Sequence, residues 1–112
     1  MLSNYLVSWE EAKEACLSMG RILLEPRSAQ KYTDAVDYRW VAQKEIWLGA
    51  SDLDEEDKWE WASDCEAVSS DAGWYPGEPN NFRNEEHCMV MWPNGFVDTN
   101  CDRRLPFVCD GQ

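Results

Sequence analysis

Five cysteines in a chain of 112 residues constrain its fold more than any other feature. They are Cys16, Cys65, Cys88, Cys101 and Cys109, and no two of them form a Cys-x-x-Cys pair. This spacing matches no zinc finger or zinc ribbon, although in a reducing compartment so many cysteines would indicate a metal site or catalysis. Long-range disulfides in an oxidising compartment are the better interpretation. The odd fifth cysteine then needs an explanation of its own.

The chain is also strongly acidic, with 22 acidic and 10 basic side chains and a formal charge of −12. Nucleic-acid binding and electrostatic docking on anionic lipid both need a basic surface, so the charge argues against both classes. No apolar run approaches the roughly 20 residues of a membrane-spanning helix, so we expect no membrane insertion. The length suits a single domain over residues 1–112 with a modest core.

The first half of the sequence predicts two helices. Ser8 and Glu11 form a capping-box pattern, and apolar residues at helical spacing continue to Met19. A short strand at 22–24 and a second helix over 28–41 follow. The order of elements in this half is therefore helix, strand, helix.

The second half predicts short strands and one long loop. Alternating or apolar runs predict strands at 46–49, 59–61, 88–92, 96–98 and 106–109. The intervening residues 62–87 have little regular pattern, and such a stretch within one domain is generally functional. Helices followed by strands predict an α+β fold.

Aromatic residues fall into two groups. Three tryptophans in or beside predicted strands are expected in the core, and they are Trp47, Trp59 and Trp61. Three further rings lie in or beside the long loop, and they are Trp74, Tyr75 and Phe82. For the loop rings, stacking on a ligand and a structural role both remain open.

Oxygen-bearing side chains gather at the end of the long loop. Glu78 and Asn80 flank Pro79, and Glu86 and Asp98 follow in or before the next strands. Calcium binds six to eight oxygens in irregular geometry, whereas magnesium demands octahedral geometry and zinc prefers histidine or cysteine. The residue types therefore favour a calcium site.

These features, in this order, resemble a C-type lectin domain over nearly the whole chain. The landmarks are the helix Ser8–Cys16, Trp47-Leu48-Gly49, Trp59-Glu60-Trp61, Gly77-Glu78-Pro79-Asn80, Glu86-His87-Cys88, Asp98 with Cys101, and Phe107-Val108-Cys109. The extra amino-terminal cysteine pair of long forms is absent, so the chain resembles the short form. The resemblance implies two helices packed on short antiparallel sheets, with a long calcium- and sugar-binding loop.

The resemblance also implies the disulfides Cys16–Cys109 and Cys88–Cys101. Cys65 has no partner in that scheme, which indicates an intermolecular bond, and so a homodimer with two sugar sites, or a free thiol. A third alternative is a zinc ion bridged by Cys65 with His87 or carboxylates.

The family pattern gives each oxygen donor a role. Glu78, Asn80, Glu86 and Asp98 would bind one calcium and contact the sugar, with Pro79 in the cis form. Two adjacent sugar hydroxyls would complete the coordination of the ion. The Glu-Pro-Asn order resembles that of mannose-type members, which bind mannose, glucose and N-acetylglucosamine. Galactose-type members have Gln and Asp instead.

The sequence departs from this pattern at one position. Phe96-Val97-Asp98 stands where Trp-Asn-Asp is expected, so Val97 removes one amide oxygen from the ion and one donor from the sugar. Asn94, Thr99, Asn100 or water would have to compensate.

The resemblance also implies an auxiliary calcium site, although not every residue of that site matches. Asp52, Glu56 and Asn81 match positions that supply it in some members, with Glu86 shared between the two sites. His87 stands where an acid is often found. The alternatives are a solvated acidic loop and, for His87, a surface residue, a pH switch or a transition-metal ligand.

The predicted function is that of a secreted, calcium-dependent lectin of innate immunity. By pattern recognition it would bind microbial surface glycans such as mannan, glucan and peptidoglycan. The alternative is a domain of the same fold that binds protein, or glycan without calcium, because of Val97. We expect no enzyme activity, since the paired acids Glu85 and Glu86 accompany no nucleophile–base pattern.

Overall fold

Two helices and six short strands form the part of the chain that the computed structural model describes, residues 2–79 and 85–111. The helices are α1 (Trp9–Ser18) and α2 (Ala29–Ala42). The strands are β1 (Ile22–Leu23), β2 (Ile46–Ser51), β3 (Glu60–Trp61), β4 (Cys88–Trp92), β5 (Gly95–Thr99) and β6 (Cys109–Asp110). All pairing between named strands is antiparallel, in a two-stranded sheet β1-β6 and a four-stranded sheet β3-β2-β4-β5. The predicted α+β fold is confirmed.

Both helices begin at a serine cap. The Ser8 hydroxyl accepts the backbone N–H of Glu11 at 3.3 Å, and the Glu11 carboxylate accepts the N–H of Ser8 at 3.0 Å. The predicted capping box is therefore confirmed. The Ser28 hydroxyl accepts the N–H of Lys31 at 3.2 Å and caps α2 in the same way.

The predicted bounds of the last strand are wrong. The prediction covered 106–109, whereas β6 is Cys109–Asp110 and the preceding residues form isolated bridges. Those bridges join Leu105 to Val7, Phe107 to Trp47, and Val108 to Leu2. The segment pairs with three different parts of the chain in turn, so no continuous ladder forms. Its continuous apolar run indicates burial but does not indicate which strand it pairs with.

The long loop carries more backbone pairing than its sequence predicts. Ala67 bridges Glu60, and Trp74 bridges Phe96 on β5. Both partners are residues of named strands, so the loop lies against the four-stranded sheet at two points. The loop therefore has no regular sequence pattern, but two backbone bridges hold it against the sheet.

Both faces of the central strands are buried. Along β2, the side chains of Ile46, Leu48 and Ala50 belong to one apolar cluster with Ala35 of α2, whereas Trp47 belongs to a second cluster with α1. The side chains of β4 alternate in the same way: Met89 and Met91 belong to the cluster with α2, and Cys88 and Val90 belong to the cluster with α1. The sheet is therefore held between the two helices. Burial of Trp47, Trp59 and Trp61 confirms their predicted core positions.

A buried carboxylate fixes the start of the long loop. Glu25 is 5% exposed, and it accepts both the N–H and the hydroxyl of Ser63 at 2.8 Å. Arg27 adds a contact to the same carboxylate at 3.2 Å. Gly49 makes this approach of chains possible, because a Cβ there would lie 2.7 Å from the carbonyl oxygen of Leu23.

Two disulfides join distant parts of the fold. Cys16–Cys109 links α1 to β6 across 93 residues, and Cys88–Cys101 links β4 to the turn after β5 across 13 residues. Both pairings are those that the resemblance implied. Cys65 is exposed and has no disulfide partner in the chain. Within residues 2–79 and 85–111, neither helix has the length and apolar character needed to cross a bilayer.

Replacing both cysteines of a disulfide tests the contribution of each closed loop to stability. Loop entropy predicts that Cys16→Ala with Cys109→Ala lowers the free energy of unfolding by about 4–5 kcal/mol. The shorter loop predicts about 3 kcal/mol for Cys88→Ala with Cys101→Ala. Urea unfolding followed by tryptophan fluorescence measures both, with Cys65→Ala as the matched control. A larger loss from the shorter loop would contradict this account.

Candidate functional site

The hairpin of β4 and β5 carries two of the predicted ligands at one end. Asp98 pairs with Met89 across the hairpin, and Thr99 pairs with Cys88. Glu86 lies two residues before Cys88, so it enters the hairpin at the same end. The disulfide Cys88–Cys101 closes this end. Asp98 is only 1% exposed, whereas Glu86 is half-buried.

A turn of the long loop brings the third predicted ligand to the other side of β5. The N–H of Tyr75 donates to the carbonyl of Phe96 at 2.9 Å, and the N–H of Glu78 donates back to the carbonyl of Tyr75 at 2.9 Å. Pro76 and Gly77 occupy the two central positions, and the φ of Gly77 is +89°. This arrangement is typical of a type II turn, which needs a positive φ at its third residue. Glu78 therefore leaves the turn beside β5.

Strand β4, which Glu86 precedes, and the loop segment at Tyr75, which Glu78 follows, pair with opposite edges of β5. The peptide bond Glu78–Pro79 is cis, as the family resemblance implied. Asn80, the fourth predicted ligand, lies outside the described residues, as do Asn81 and Phe82. Glu86 and Asp98 therefore lie at one end of the β4–β5 hairpin, and Glu78 ends a turn that is bonded to β5 at Phe96.

The donor chemistry of these three residues fits calcium. All three supply carboxylate oxygens, and neither a thiol nor an imidazole is among them. Glu78, Glu86 and Asp98 could therefore hold calcium together with other oxygens.

Val97 packs into the core instead of supplying an oxygen. It pairs with Val90 on β4 and lies half-buried against the cluster that contains Trp47. The residues expected to compensate make other contacts. Thr99 accepts a hydrogen bond from Arg103 at 3.0 Å, and the Asn100 side chain accepts the N–H of Asp102 at 2.8 Å.

The third candidate for compensation is Asn94. It lies in the turn between β4 and β5, where Trp92 pairs with Gly95, at the opposite end of the hairpin from Asp98. Its position does not favour a role as a ligand beside Asp98.

A second group of side chains lies where the acidic loop meets the entry to β4. Nδ1 of His87 is 2.9 Å from a carboxylate oxygen of Asp52 and 3.7 Å from one of Glu56. The other oxygen of Asp52 accepts the N–H of Asp57 at 2.9 Å, and the N–H of Asp52 donates to the carbonyl of His87 at 3.1 Å. Asp52 is buried and thereby ties the acidic loop to the residue next to Glu86.

This group is where the auxiliary calcium site was predicted. Desolvation raises the pKa of the Glu56 carboxyl, and the charge of Asp52 raises it further, against an opposing effect of His87. The ligand atoms of these three residues lie within 4.8 Å of one another. An imidazole nitrogen is a poor calcium ligand, so His87 counts against the auxiliary calcium, which stays a prediction.

The predicted zinc bridge finds no support in this geometry. Among the described residues, the group of acids, histidines and cysteines able to share an ion consists of Asp52, Glu56 and His87, without Cys65. Cys65 is exposed beyond β3, in the turn where its N–H donates to the carbonyl of Trp61.

Comparison with known proteins decides the family. A family model of the Lectin C-type domain matches residues 5–111. The chain belongs to this family. The resemblance that the sequence motifs indicated is therefore confirmed at the level of the family.

Relatives of this C-type lectin domain are larger proteins. C-type mannose receptor 2 of Mus musculus is 38% identical over 105 residues, which cover 91% of this chain and 7% of the receptor. Hepatic lectin of Gallus gallus is 30% identical over 107 residues, which cover 93% of this chain and 50% of that protein. The chain thus spans at most half the length of these two relatives.

The fold of the C-type lectin domain is also seen in solved structures. The mouse scavenger receptor C-type lectin carbohydrate-recognition domain matches with a TM-score of 0.83 at 24% identity. The match covers 96% of this chain and 83% of that one. At this identity the likeness shows the fold alone, and it agrees with the two helices, antiparallel sheets and two disulfides described above.

Sequence reasoning missed two contacts near the site. It did not pair His87 with Asp52, which lies 35 residues earlier in the chain. It also did not pair Glu45 with Arg103, whose guanidinium lies 3.1 Å from the Glu45 carboxylate. Opposite charge was the only signal in the sequence for either contact. In a chain with this many acidic side chains, that signal does not identify which acid is the partner.

Asp52 provides a test of how the acidic loop is held. We expect Asp52→Ala to lower the free energy of unfolding by about 1–3 kcal/mol, because the N–H of Asp57 and the His87 ring both lose a hydrogen-bond partner. Asp52→Asn should cost less, since its amide oxygen can still accept the N–H of Asp57. Urea unfolding in a chelator-containing buffer measures both variants without interference from bound metal.

Asp54 in the same loop is exposed and gives the matched control. Asp54→Ala should change the free energy of unfolding by less than about 0.5 kcal/mol. Equal losses for Asp52→Ala and Asp54→Ala would show that the acidic loop is held by other contacts.

Proposed function

We propose that this domain is a calcium-dependent lectin domain that binds sugars at the Asp98 end of the β4–β5 hairpin. The observation that supports the proposal is that β4, which Glu86 precedes, and the loop segment that leads to Glu78 pair with the two edges of the strand that bears Asp98. Membership of the C-type lectin family supports the same site. An oxygen-only donor set supports calcium over zinc.

The proposed mechanism is direct recognition of two neighbouring sugar hydroxyls. The calcium would be held by Glu78, Asn80, Glu86 and Asp98. The two hydroxyl oxygens of the sugar would complete the coordination of the ion. Glu78 and Glu86 would also accept hydrogen bonds from the same hydroxyls, because a carboxylate has lone pairs left after binding an ion. The Asn80 amide would donate to a hydroxyl oxygen. The turn at Pro76 and the Cys88–Cys101 disulfide would hold these groups in place before the sugar arrives.

The order Glu78-Pro79-Asn80 supports a mannose-type preference. Sugars with equatorial 3- and 4-hydroxyls, which include mannose, glucose and N-acetylglucosamine, should bind better than galactose. The name of the mannose receptor relative points in the same direction. Polysaccharides of microbial surfaces, such as mannan, glucan and peptidoglycan, carry such hydroxyl pairs, and a role in innate defence is proposed on that basis.

An extracellular location is part of the proposal. Two disulfides in a domain of this size persist in an oxidising environment and would be reduced in the cytosol. The covalent dimer through Cys65 stays a prediction. Its neighbours Asp64 and Glu66 are both acidic, so two copies meeting at Cys65 would bring like charges together.

One observation favours a second function. Val97 packs against the core cluster in place of an ion-binding asparagine, which leaves the site one oxygen short of the family pattern. The alternative is therefore a C-type lectin-like domain that binds protein, or binds glycan without calcium. Calcium dependence separates the two functions.

Calcium should stabilise the folded domain if the site is real. A ligand present at a hundred times its dissociation constant adds about 2.7 kcal/mol of stability. We expect millimolar calcium to raise the melting temperature of the wild-type domain and to have far less effect on Asp98→Asn. In an inhibition assay on immobilised mannan, mannose and N-acetylglucosamine should compete, galactose should not, and a chelator should abolish binding.

Exposed Asp102, four residues further along the chain, gives the matched control as Asp102→Asn. That variant should respond to calcium as the wild type does. A wild-type melting temperature that is unchanged at millimolar calcium would reject calcium dependence and favour the alternative function.

Restoring the family residue at position 97 tests the missing oxygen. We expect Val97→Asn to raise calcium affinity by about tenfold, which corresponds to about 1.4 kcal/mol for a regained ligand. The same change should lower the stability of the calcium-free domain, because an amide then enters an apolar cluster. Isothermal titration with calcium and urea unfolding with chelator measure the two effects.

Val97→Ala is the control for the packing effect alone. It should lower stability without any gain in calcium affinity, because it removes methyl groups and adds no oxygen. If Val97→Asn and Val97→Ala bind calcium equally, the side chain at position 97 does not face the ion.

A further inference from the structure

An exposed pair of aromatic rings lies next to the turn that delivers Glu78. The rings of Tyr75 and Trp92 pack edge to face, with centroids 5.7 Å apart and planes at 67°. Tyr75 is 36% exposed and Trp92 is 39% exposed, so part of each ring remains open to solvent. Tryptophan and tyrosine with a partly open ring and a polar tip are typical of binding surfaces.

The structure holds both rings in position. The backbone N–H of Tyr75 donates to Phe96 on β5, and Trp92 ends β4 opposite Gly95. The approach is close, because a Cβ at Gly95 would lie 2.7 Å from the backbone nitrogen of Tyr75. The pair is therefore attached to the same hairpin that carries Asp98 at its other end.

A polar side chain also orients Trp92. Burial raises the pKa of the Glu45 carboxyl, but hydrogen bonds from its own backbone, Arg103 and Trp92 outweigh this effect and lower it overall. The Arg103 guanidinium contacts both Glu45 at 3.1 Å and Thr99 at 3.0 Å. This line of contacts runs from Trp92 towards the Asp98 end of the hairpin.

The backbone of Tyr75 is close to that of Glu78, one of the proposed ligands. Tyr75 and Glu78 are the first and last residues of one β-turn, so their Cα atoms lie within about 7 Å of each other. Neighbouring rings of an oligosaccharide span such a separation. One face of a pyranose ring carries mainly C–H groups and packs on an aromatic ring, while its hydroxyls remain free to hydrogen-bond.

We propose that Tyr75 and Trp92 form a second contact for glycan, which binds the apolar face of the sugar next to the one held at Glu78. The proposal rests on the proposed function for the position of that first sugar. It goes beyond it by assigning the selectivity for oligosaccharide over monosaccharide to these two rings. The occupant is a pyranose ring, because the open surface consists of two aromatic rings and one of them, Tyr75, begins the turn that ends at Glu78.

The test compares methyl α-mannoside with a linear mannotriose by isothermal titration in calcium. The wild-type domain should bind the trisaccharide more tightly than the monosaccharide. In Tyr75→Ala and in Trp92→Ala, the ratio of the two affinities should fall by roughly fivefold to tenfold, the range expected for loss of an aromatic contact. Tyr75→Phe and Trp92→Phe keep a ring and should retain most of the ratio, and they also guard against misfolding of the alanine variants.

Trp40 supplies the matched control, because it lies on α2 and is 64% exposed. Trp40→Ala should leave the ratio unchanged. An unchanged ratio in both Tyr75→Ala and Trp92→Ala would overturn the proposal and leave the two rings as a contact for protein.

The outcomes also separate the two proposals. Trisaccharide binding that survives a chelator and is lost in Trp92→Ala would support the aromatic contact and overturn the calcium site. Calcium-dependent binding of both sugars with an equal affinity in the wild type would support the calcium site and overturn the aromatic contact. Failure of the wild type to bind either sugar would overturn both.

Discussion

The burial of β2 and β4 on both faces is the constraint on which the other elements depend. Alternate side chains of these strands pack against α1 on one face and α2 on the other. Each helix is therefore fixed by the sheet, and each edge of the pair β2-β4 receives a further strand, β3 or β5. With both faces covered, new chemistry can arise only where strands end and loops begin. The candidate site lies at such a place.

The edge strand β5 illustrates how the fold separates stability from binding. Its pairing with β4 and the disulfide Cys88–Cys101 hold the strand, while the loop segment at Tyr75 covers part of its outer edge. Asp98 emerges between these supports as a buried carboxylate. Val97, its neighbour, belongs to the core instead. Two adjacent residues of one strand thus have different surroundings, because Val97 packs partly against an apolar cluster and Asp98 is a buried carboxylate.

The acidity of the chain has only a limited connection with this site. One bound calcium would offset two units of the net charge of −12, so the ion accounts for only a small part of the acidity. The position of a few carboxylates carries the functional information. The same holds for the acidic loop, where Asp52 is buried beside His87 while Asp54 remains exposed.

Local patterns were the part of this structure that the sequence could predict. The capping box at Ser8 and the succession of helices and strands along the chain depend on neighbours in sequence, and family motifs supplied the two disulfides and the cis bond before Pro79. Contacts between polar residues far apart in sequence could not be found in the same way. Glu25 meets Ser63 from 38 residues away, and no local signal marks either one. The last strand was misplaced because its apolar pattern is shared among three partners.

The turn at Pro76 and Gly77 affects which features of a glycan the surface can distinguish. A proline fixes one backbone angle and the hydrogen bond from Glu78 to Tyr75 closes the ring of the turn, so the two contact points have little freedom to move apart. The distance between the two contact points is therefore nearly fixed. Glycans that end in the same sugar would then be told apart by the linkage that joins their last two rings, a property of chain geometry that the composition of the glycan does not reveal.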